Sequence, residues 1–194
     1  MNLPNKLTLT RVILIPFFLF FMYVKVPCHY LIALAIFAAA SITDALDGKI
    51  ARKNNLVTNF GKFLDPLADK VLVIAALTVF VELPEVNMGA IPLIIISARE
   101  FMVSGLRLLA ANSGKVVAAG IWGKLKTAFT MVAIIAILLW LSLCGDFHIG
   151  FPEGFVSAVN DIITPILVWI ATILTVVSGV IYLKGYWHLI DADK

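Results

Sequence analysis

The sequence predicts an all-α integral membrane protein: six transmembrane helices preceded by a short N-terminal interfacial helix, with both ends of the chain on the cytoplasmic side. Three observations predict it. Hydrophobic residues make up 61% of the 194 and charged residues only 14%, with a mean hydropathy of +1.01, far outside the usage of soluble domains. Apolar runs recur between short polar turns; at about 20 residues per crossing the chain holds about six, so residues 1–194 read as one membrane domain. Lys and Arg total fifteen, and with the N-terminus inside, all but Lys25 fall on or toward the cytoplasmic side, as the positive-inside bias requires.

Each element has its own signal. Residues 2–11 form an amphipathic lead-in, with Asn5 as candidate cap and Leu3, Leu7 and Leu9 on an interfacial face. Asn5, Thr8 and Arg11 recur every three residues and can point at an anion, although capping plus a headgroup contact explains the pattern equally well. No small-residue cleavage pattern follows the first apolar run, so that run, Val12 to Val24, is expected to stay as the first crossing; its Pro16 is tolerated in a membrane helix. A second crossing begins at Tyr30, stays apolar to Ala40 and turns polar at Ser41, Thr43, Asp44 and Asp47. A loop over 53–60 follows. Asp65-Pro66 reads as an N-cap with proline at the first helical position, starting a third helix that is apolar from Val71 to Val81.

The fourth helix runs from about Ile91 and carries Arg99, Glu100 and Arg107. The glycine-punctuated stretch 111–127 is basic at Lys115, Lys124 and Lys126, and the fifth helix extends from about Lys126 to Leu143. The sixth covers about Ile162 to Leu183, with Tyr186 and Trp187 as interfacial anchors. The turns Glu82–Gly89 and Cys144–Gly154 contain no Lys or Arg. Cys28 and Cys144 sit in no metal-ligand spacing and read as two separate thiols; His148 reads as a surface residue.

Against this hydrocarbon background, four of the twelve acidic residues, Asp44, Asp47, Asp65 and Asp69, cluster within 26 positions. On a helix, residues three or four apart share a face, so they form two carboxylate pairs. Asp44 and Asp47 lie about 21 and 26 Å along the helix from Tyr30, inside or at the edge of a hydrocarbon core about 30 Å thick. Carboxylates at that depth must face other helices or water, and four together need protons or cations. Two divalent ions balance four charges. Oxygen donors without histidine or cysteine favour Mg²⁺ or Mn²⁺ over zinc. Arg99, about 12 Å in from Ile91, is a lone cation in hydrocarbon and is a candidate site residue on the same ground; an ion pair with Glu100 used only for packing is the alternative.

The spacing Asp-x2-Asp-Gly-x2-Ala-Arg-x8-Gly-x3-Asp-x3-Asp, filled by Asp44, Asp47, Gly48, Ala51, Arg52, Gly61, Asp65 and Asp69, resembles the signature of the CDP-alcohol phosphotransferases. The resemblance implies a metal-dependent enzyme that moves a phosphatidyl or phosphoalcohol unit from a CDP-linked donor onto a hydroxyl and releases CMP. It implies Asp44, Asp47, Asp65 and Asp69 around two divalent cations, with Asp69 as the general base. Gly48 and Ala51 would let the nucleotide approach, Arg52 would neutralise a donor phosphate, and Gly61 would admit the cytidine. Asn5 and Thr8 belong to an entry segment similar to that of the glycerol 3-phosphate-using branch. So do the strings Ser97-Ala-Arg-Glu100, Ser104-Gly-Leu-Arg107 and Gly123-Lys-Leu-Lys-Thr127.

Arg99, Arg107, Lys115, Lys124 and Lys126 supply more positive charge than a neutral alcohol needs, which points to an acceptor with its own phosphate. The expectation is therefore CDP-diacylglycerol as donor and sn-glycerol 3-phosphate as acceptor, at the cytoplasmic face of the cell membrane, in a homodimer as the resemblance implies, with no nucleic-acid partner. Inositol phosphate, serine or phosphatidylglycerol as acceptor stays open. So does a divalent-cation transporter, which also places aspartates within a membrane but has no use for Gly48, Ala51, Arg52 and Gly61 at those offsets. A chelator should stop CMP release by the purified protein and Mg²⁺ or Mn²⁺ should restore it; undiminished turnover in excess EDTA contradicts the metal reading.

Overall fold

The computed structural model describes the backbone of residues 3–53, 59–112 and 120–187, and within these every regular element is helical. Helix α1 is Leu3–Tyr23, α2 His29–Lys53, α3 Asn59–Glu82, α4 Ala90–Asn112 and α5 Ile121–Leu141. A π-helical turn, Ser142–Asp146, continues α5; then come the short α6, Glu153–Ala158, a second π turn, Val159–Ile163, and α7, Thr164–Tyr186. The side chains of residues 3–7, 44–53, 59–66 and 69 lie outside the described set.

Among the described residues, two continuous helical stretches are long and apolar enough to cross a membrane, Ile121–Asp146 and Glu153–Tyr186; Thr8–Tyr23 and His29–Thr43 are shorter apolar helices. Large apolar side chains also point away from the bundle: Ile13 and Phe17 on α1, Ile94 and Leu108 on α4, Val132 on α5, and Ile166 and Ile173 on α7 are each about half exposed or more. A helical chain that keeps such side chains on its outside while satisfying its backbone internally is built for a lipid environment.

Boundaries differ from the sequence expectation in three places. The N-terminal lead-in is not a separate element, because α1 runs unbroken from Leu3 to Tyr23 and Pro16 lies within it. Helix α3 starts at Asn59, so Asp65 is not its N-cap but lies about two turns inside. Ahead of α7, which starts at Thr164 close to the expected Ile162, the chain is helical from Glu153, because α6 and a π turn lead straight into it.

Packing follows small residues and interlocking aromatics. Helix α1 packs along α2 and against α3, α5 against α7 and α2, and α4 between α7 and α3. Fully buried Ala33 and Ala40 of α2 and Ala76 of α3 allow close backbone approach. Between them Phe18 and Phe37 meet at 5.9 Å, with Leu72, Phe80, Ile96, Ile134 and Leu138 filling the core. Hydroxyls buried in this core bond back to their own helix: Thr130 to the Lys126 carbonyl at 2.8 Å, Thr172 to Val168 at 2.8 Å and Thr175 to Ala171 at 2.7 Å.

One end of the bundle is held by a carboxylate. Asp146, in the π turn after α5, accepts from the backbone N–H of Tyr30 at 3.3 Å and of Leu31 at 2.7 Å, so it caps α2 from another element. His29 Nε2 lies 4.0 Å from the same carboxylate, whose side chain is 1% exposed. Gly145 makes the approach possible, since a Cβ there would fall 2.7 Å from the Tyr30 ring. Asp146→Ala should destabilise the fold by about 1–2 kcal/mol, the usual cost of losing a helix cap. Thermal unfolding in detergent checks this, and an unchanged midpoint would show that α2 does not depend on the cap.

Candidate active site

The carboxylate positions fall on the two helices that face α1. Asp44, Asp47, Gly48, Ala51 and Arg52 belong to α2, and Gly61, Asp65 and Asp69 to α3. Their side chains lie outside the described residues, as do those of Asn5 and of Lys115. Next to them in sequence, the described buried residues are Ala33, Phe37 and Ala40 on α2 and Ala68, Leu72 and Ala76 on α3. Just below position 44, α1 reaches across: Thr8 and Arg11 are fully buried, and Arg11 Nε–H donates to the Ala40 carbonyl at 3.3 Å. Arg11 had only a weak sequence signal, the three-residue recurrence with Asn5 and Thr8.

A second group lies where α4, α5 and α7 meet. Arg99 is 8% exposed and Lys126 6%. A cation at that depth is stable only with partners on neighbouring helices. Both converge on one oxygen, Oε1 of Glu100, to which Arg99 Nη1 donates at 3.2 Å and which also accepts from Lys126 Nζ. Arg99 Nη2 donates to Ser178 Oγ on α7 at 2.7 Å. Gly179 makes room for the Arg99 stem, since a Cβ there would sit 3.1 Å from Arg99 Cγ. Arg99 Nε, also buried, has no hydrogen-bond partner among the described residues. A buried donor left open calls for an acceptor, which a water, an ion or a ligand can supply.

Glu100 and Lys126 line a narrow cleft with Lys70, Val73, Ile96, Thr127 and Thr130. Lys70 and Val73 bring α3 to this cleft, and Lys70 directly follows Asp69 in sequence. Charged groups from three helices, two threonines of α5 and the apolar Val73 and Ile96 thus meet at this cleft.

The other basic residues are elsewhere. Arg107, two turns along α4 from Arg99, is exposed; its Nε–H donates to the Tyr182 hydroxyl at 2.9 Å and its guanidinium lies 5.6 Å from that ring's centre. Lys124 lies within the first turns of α5 and is exposed, on a different face from Lys126. The described structure thus joins Arg99 with Lys126 and leaves Arg107 and Lys124 outside that pair. Ser178 and Tyr182 were not singled out in the sequence. Their signal was present but faint: two polar groups four apart on one face of an apolar helix, flanking Gly179.

Comparison with known proteins adds the chemical context. Residues 1–177 match the family model described as CDP-alcohol phosphatidyltransferase. A Bacillus subtilis protein named CDP-diacylglycerol–glycerol-3-phosphate 3-phosphatidyltransferase is 42% identical, with 100% of this chain and 99% of that one covered. Proteins of the same name from Rickettsia typhi and Haemophilus influenzae are 39% and 40% identical, covering 95% and 94% of this chain and 96% and 92% of their own.

Proposed function

We propose, because this chain belongs to the CDP-alcohol phosphatidyltransferase family, that it transfers the phosphatidyl group of CDP-diacylglycerol to sn-glycerol 3-phosphate, giving phosphatidylglycerophosphate and CMP in phospholipid biosynthesis. Relatives so named match it at about 40% identity from end to end. The observation that supports the acceptor is the buried Arg99–Glu100–Lys126 group with its open Arg99 Nε donor, of which Glu100 and Lys126 line a cleft together with Lys70 of α3. A phosphate brings several anionic oxygens to that donor and to the two buried cations, a closer charge match than a neutral alcohol or the zwitterion serine.

In this reading the primary hydroxyl of glycerol 3-phosphate gives its proton to Asp69. Its oxygen forms a bond to the phosphatidyl phosphorus as the bond from that phosphorus to the CMP oxygen breaks, and CMP leaves with the electron pair. Asp44, Asp47, Asp65 and Asp69 are the residues that would hold two divalent cations, and a donor set of carboxylate oxygens alone fits Mg²⁺ or Mn²⁺. Bound there, the ions supply neutralisation of the diphosphate and of the charge arriving on CMP. Arg52 on α2 meets the donor phosphates, while Gly48, Ala51 and Gly61 keep the helix surface low for the nucleotide. Asn5 and Thr8 on α1 extend the donor side, and Arg107, Lys115 and Lys124 raise the local positive potential that draws an anionic acceptor toward Arg99 and Lys126.

The remaining features of the reading are its setting. We place the chain in the cell membrane as six crossings with both ends in the cytoplasm and the reacting groups opening to that side, which the distribution of Lys and Arg supports. The donor then enters from the bilayer and the acceptor from water. A homodimer is the proposed assembly.

Two measurements test this. Purified protein given CDP-diacylglycerol should release CMP with glycerol 3-phosphate and not with serine, inositol phosphate or phosphatidylglycerol; turnover with serine and none with glycerol 3-phosphate overturns the acceptor. Asp69→Asn should lower kcat by about 100-fold or more, the scale of a lost general base, with unfolding temperature and donor binding preserved; near-normal turnover removes Asp69 from that role.

A further inference from the structure

The carboxylate at the centre of the basic group has no part in the reaction just described, and its position is unusual for a packing residue. A side chain placed only to neutralise Arg99 would need one contact. Glu100 instead offers a single oxygen, Oε1, to Arg99 from its own helix and to Lys126 from α5, and it lines the cleft itself. Arg99 is further fixed by Ser178 from a third helix. The result is a guanidinium with two nitrogens engaged, its Nε open, and an ammonium brought close to it by the shared carboxylate. Summed formally, the three groups leave one positive charge, so the carboxylate lowers the cost of burying two cations while leaving the pair able to attract an anion.

We propose that Glu100 is a positioning residue for acceptor binding: by bridging Arg99 and Lys126 it aims both at one phosphate, with Ser178 holding the guanidinium from the opposite side. The proposal rests on the reading of the cleft as the acceptor site and adds a residue and a division of labour to it. Arg99 and Lys126 touch the phosphate; Glu100 and Ser178 act through Arg99 and Lys126. Without the bridge, the long side chains lose the fixed geometry that makes their charges count, and the loss falls on the acceptor and not on the lipid donor.

The test is steady-state kinetics of the full-length protein in detergent, with the donor and acceptor varied separately and the thermal unfolding temperature measured alongside. Glu100→Ala should raise the KM for glycerol 3-phosphate by about 10- to 100-fold, as misplacement of binding groups does, with the KM for CDP-diacylglycerol within about twofold. Glu100→Gln keeps an oxygen that accepts a hydrogen bond and should recover part of the loss. Ser178→Ala frees only Nη2 and should shift the same constant less. An unchanged acceptor KM in these variants sinks the proposal. So does a parallel change in both KM values and kcat that tracks a lower unfolding temperature, since that is the behaviour of a merely structural ion pair. Should Glu100→Ala fail to fold, the Gln and Ser178 variants decide on the same criteria. If the wild-type protein turns over a different acceptor, the reading of the acceptor fails, and the same comparison on that acceptor still scores Glu100.

Discussion

A charge carried into hydrocarbon must find its counterpart on another helix, and that requirement shapes this bundle more than any apolar contact does. Arg99 and Lys126 are both buried cations, and neither could keep its charge there alone. Their shared carboxylate ties α4 to α5, and Ser178 ties α4 to α7. The apolar core can slide; a hydrogen-bonded charge pair in low dielectric cannot without leaving a group unpaired. The relative heights of α4, α5 and α7 are thus set by polar atoms, while Phe18, Phe37 and their neighbours fill the space that remains.

Such an arrangement is a poor way to gain stability. A buried ion pair does little better than well-packed apolar residues of the same volume, because desolvation offsets most of its Coulomb attraction. The proposed role in acceptor binding gives the group a use beyond stability. Two cations, one carboxylate and one open donor meet where Gly179 gives up side-chain packing to admit the Arg99 stem. The chain accepts a weaker core at this point in return for fixed charge.

Much of this was readable beforehand, and the reasons differ by residue. The aspartates at 44, 47, 65 and 69 and the depth of Arg99 stood out because polar residues are rare in an apolar sequence, so each carries information. The helical class and the approximate spans followed from composition for the same reason. Boundaries were less legible. Asp65-Pro66 has the local chemistry of a helix start, yet α3 begins at Asn59, since proline needs only an interrupted hydrogen bond to lie inside a helix and membrane packing supplies the rest. The π turns at Ser142–Asp146 and Val159–Ile163 left no periodic trace to read. The division of the basic residues into a buried pair and an exposed pair depends on which face of α4 and α5 meets α7, and no single helix encodes that. Glu100 was visible as a neighbour of Arg99; its reach to Lys126 is a tertiary fact.

The cap that Asp146 places on α2 has a mechanical corollary. It welds the start of one helix to the end of another at the rim farthest from positions 44 and 69. Helices α2 and α5 cannot part there without exposing two backbone N–H groups and a buried carboxylate. Any widening needed to admit a diacyl substrate must then pivot about that rim and open toward the opposite one, as the jaws of a clothes-peg part around its spring.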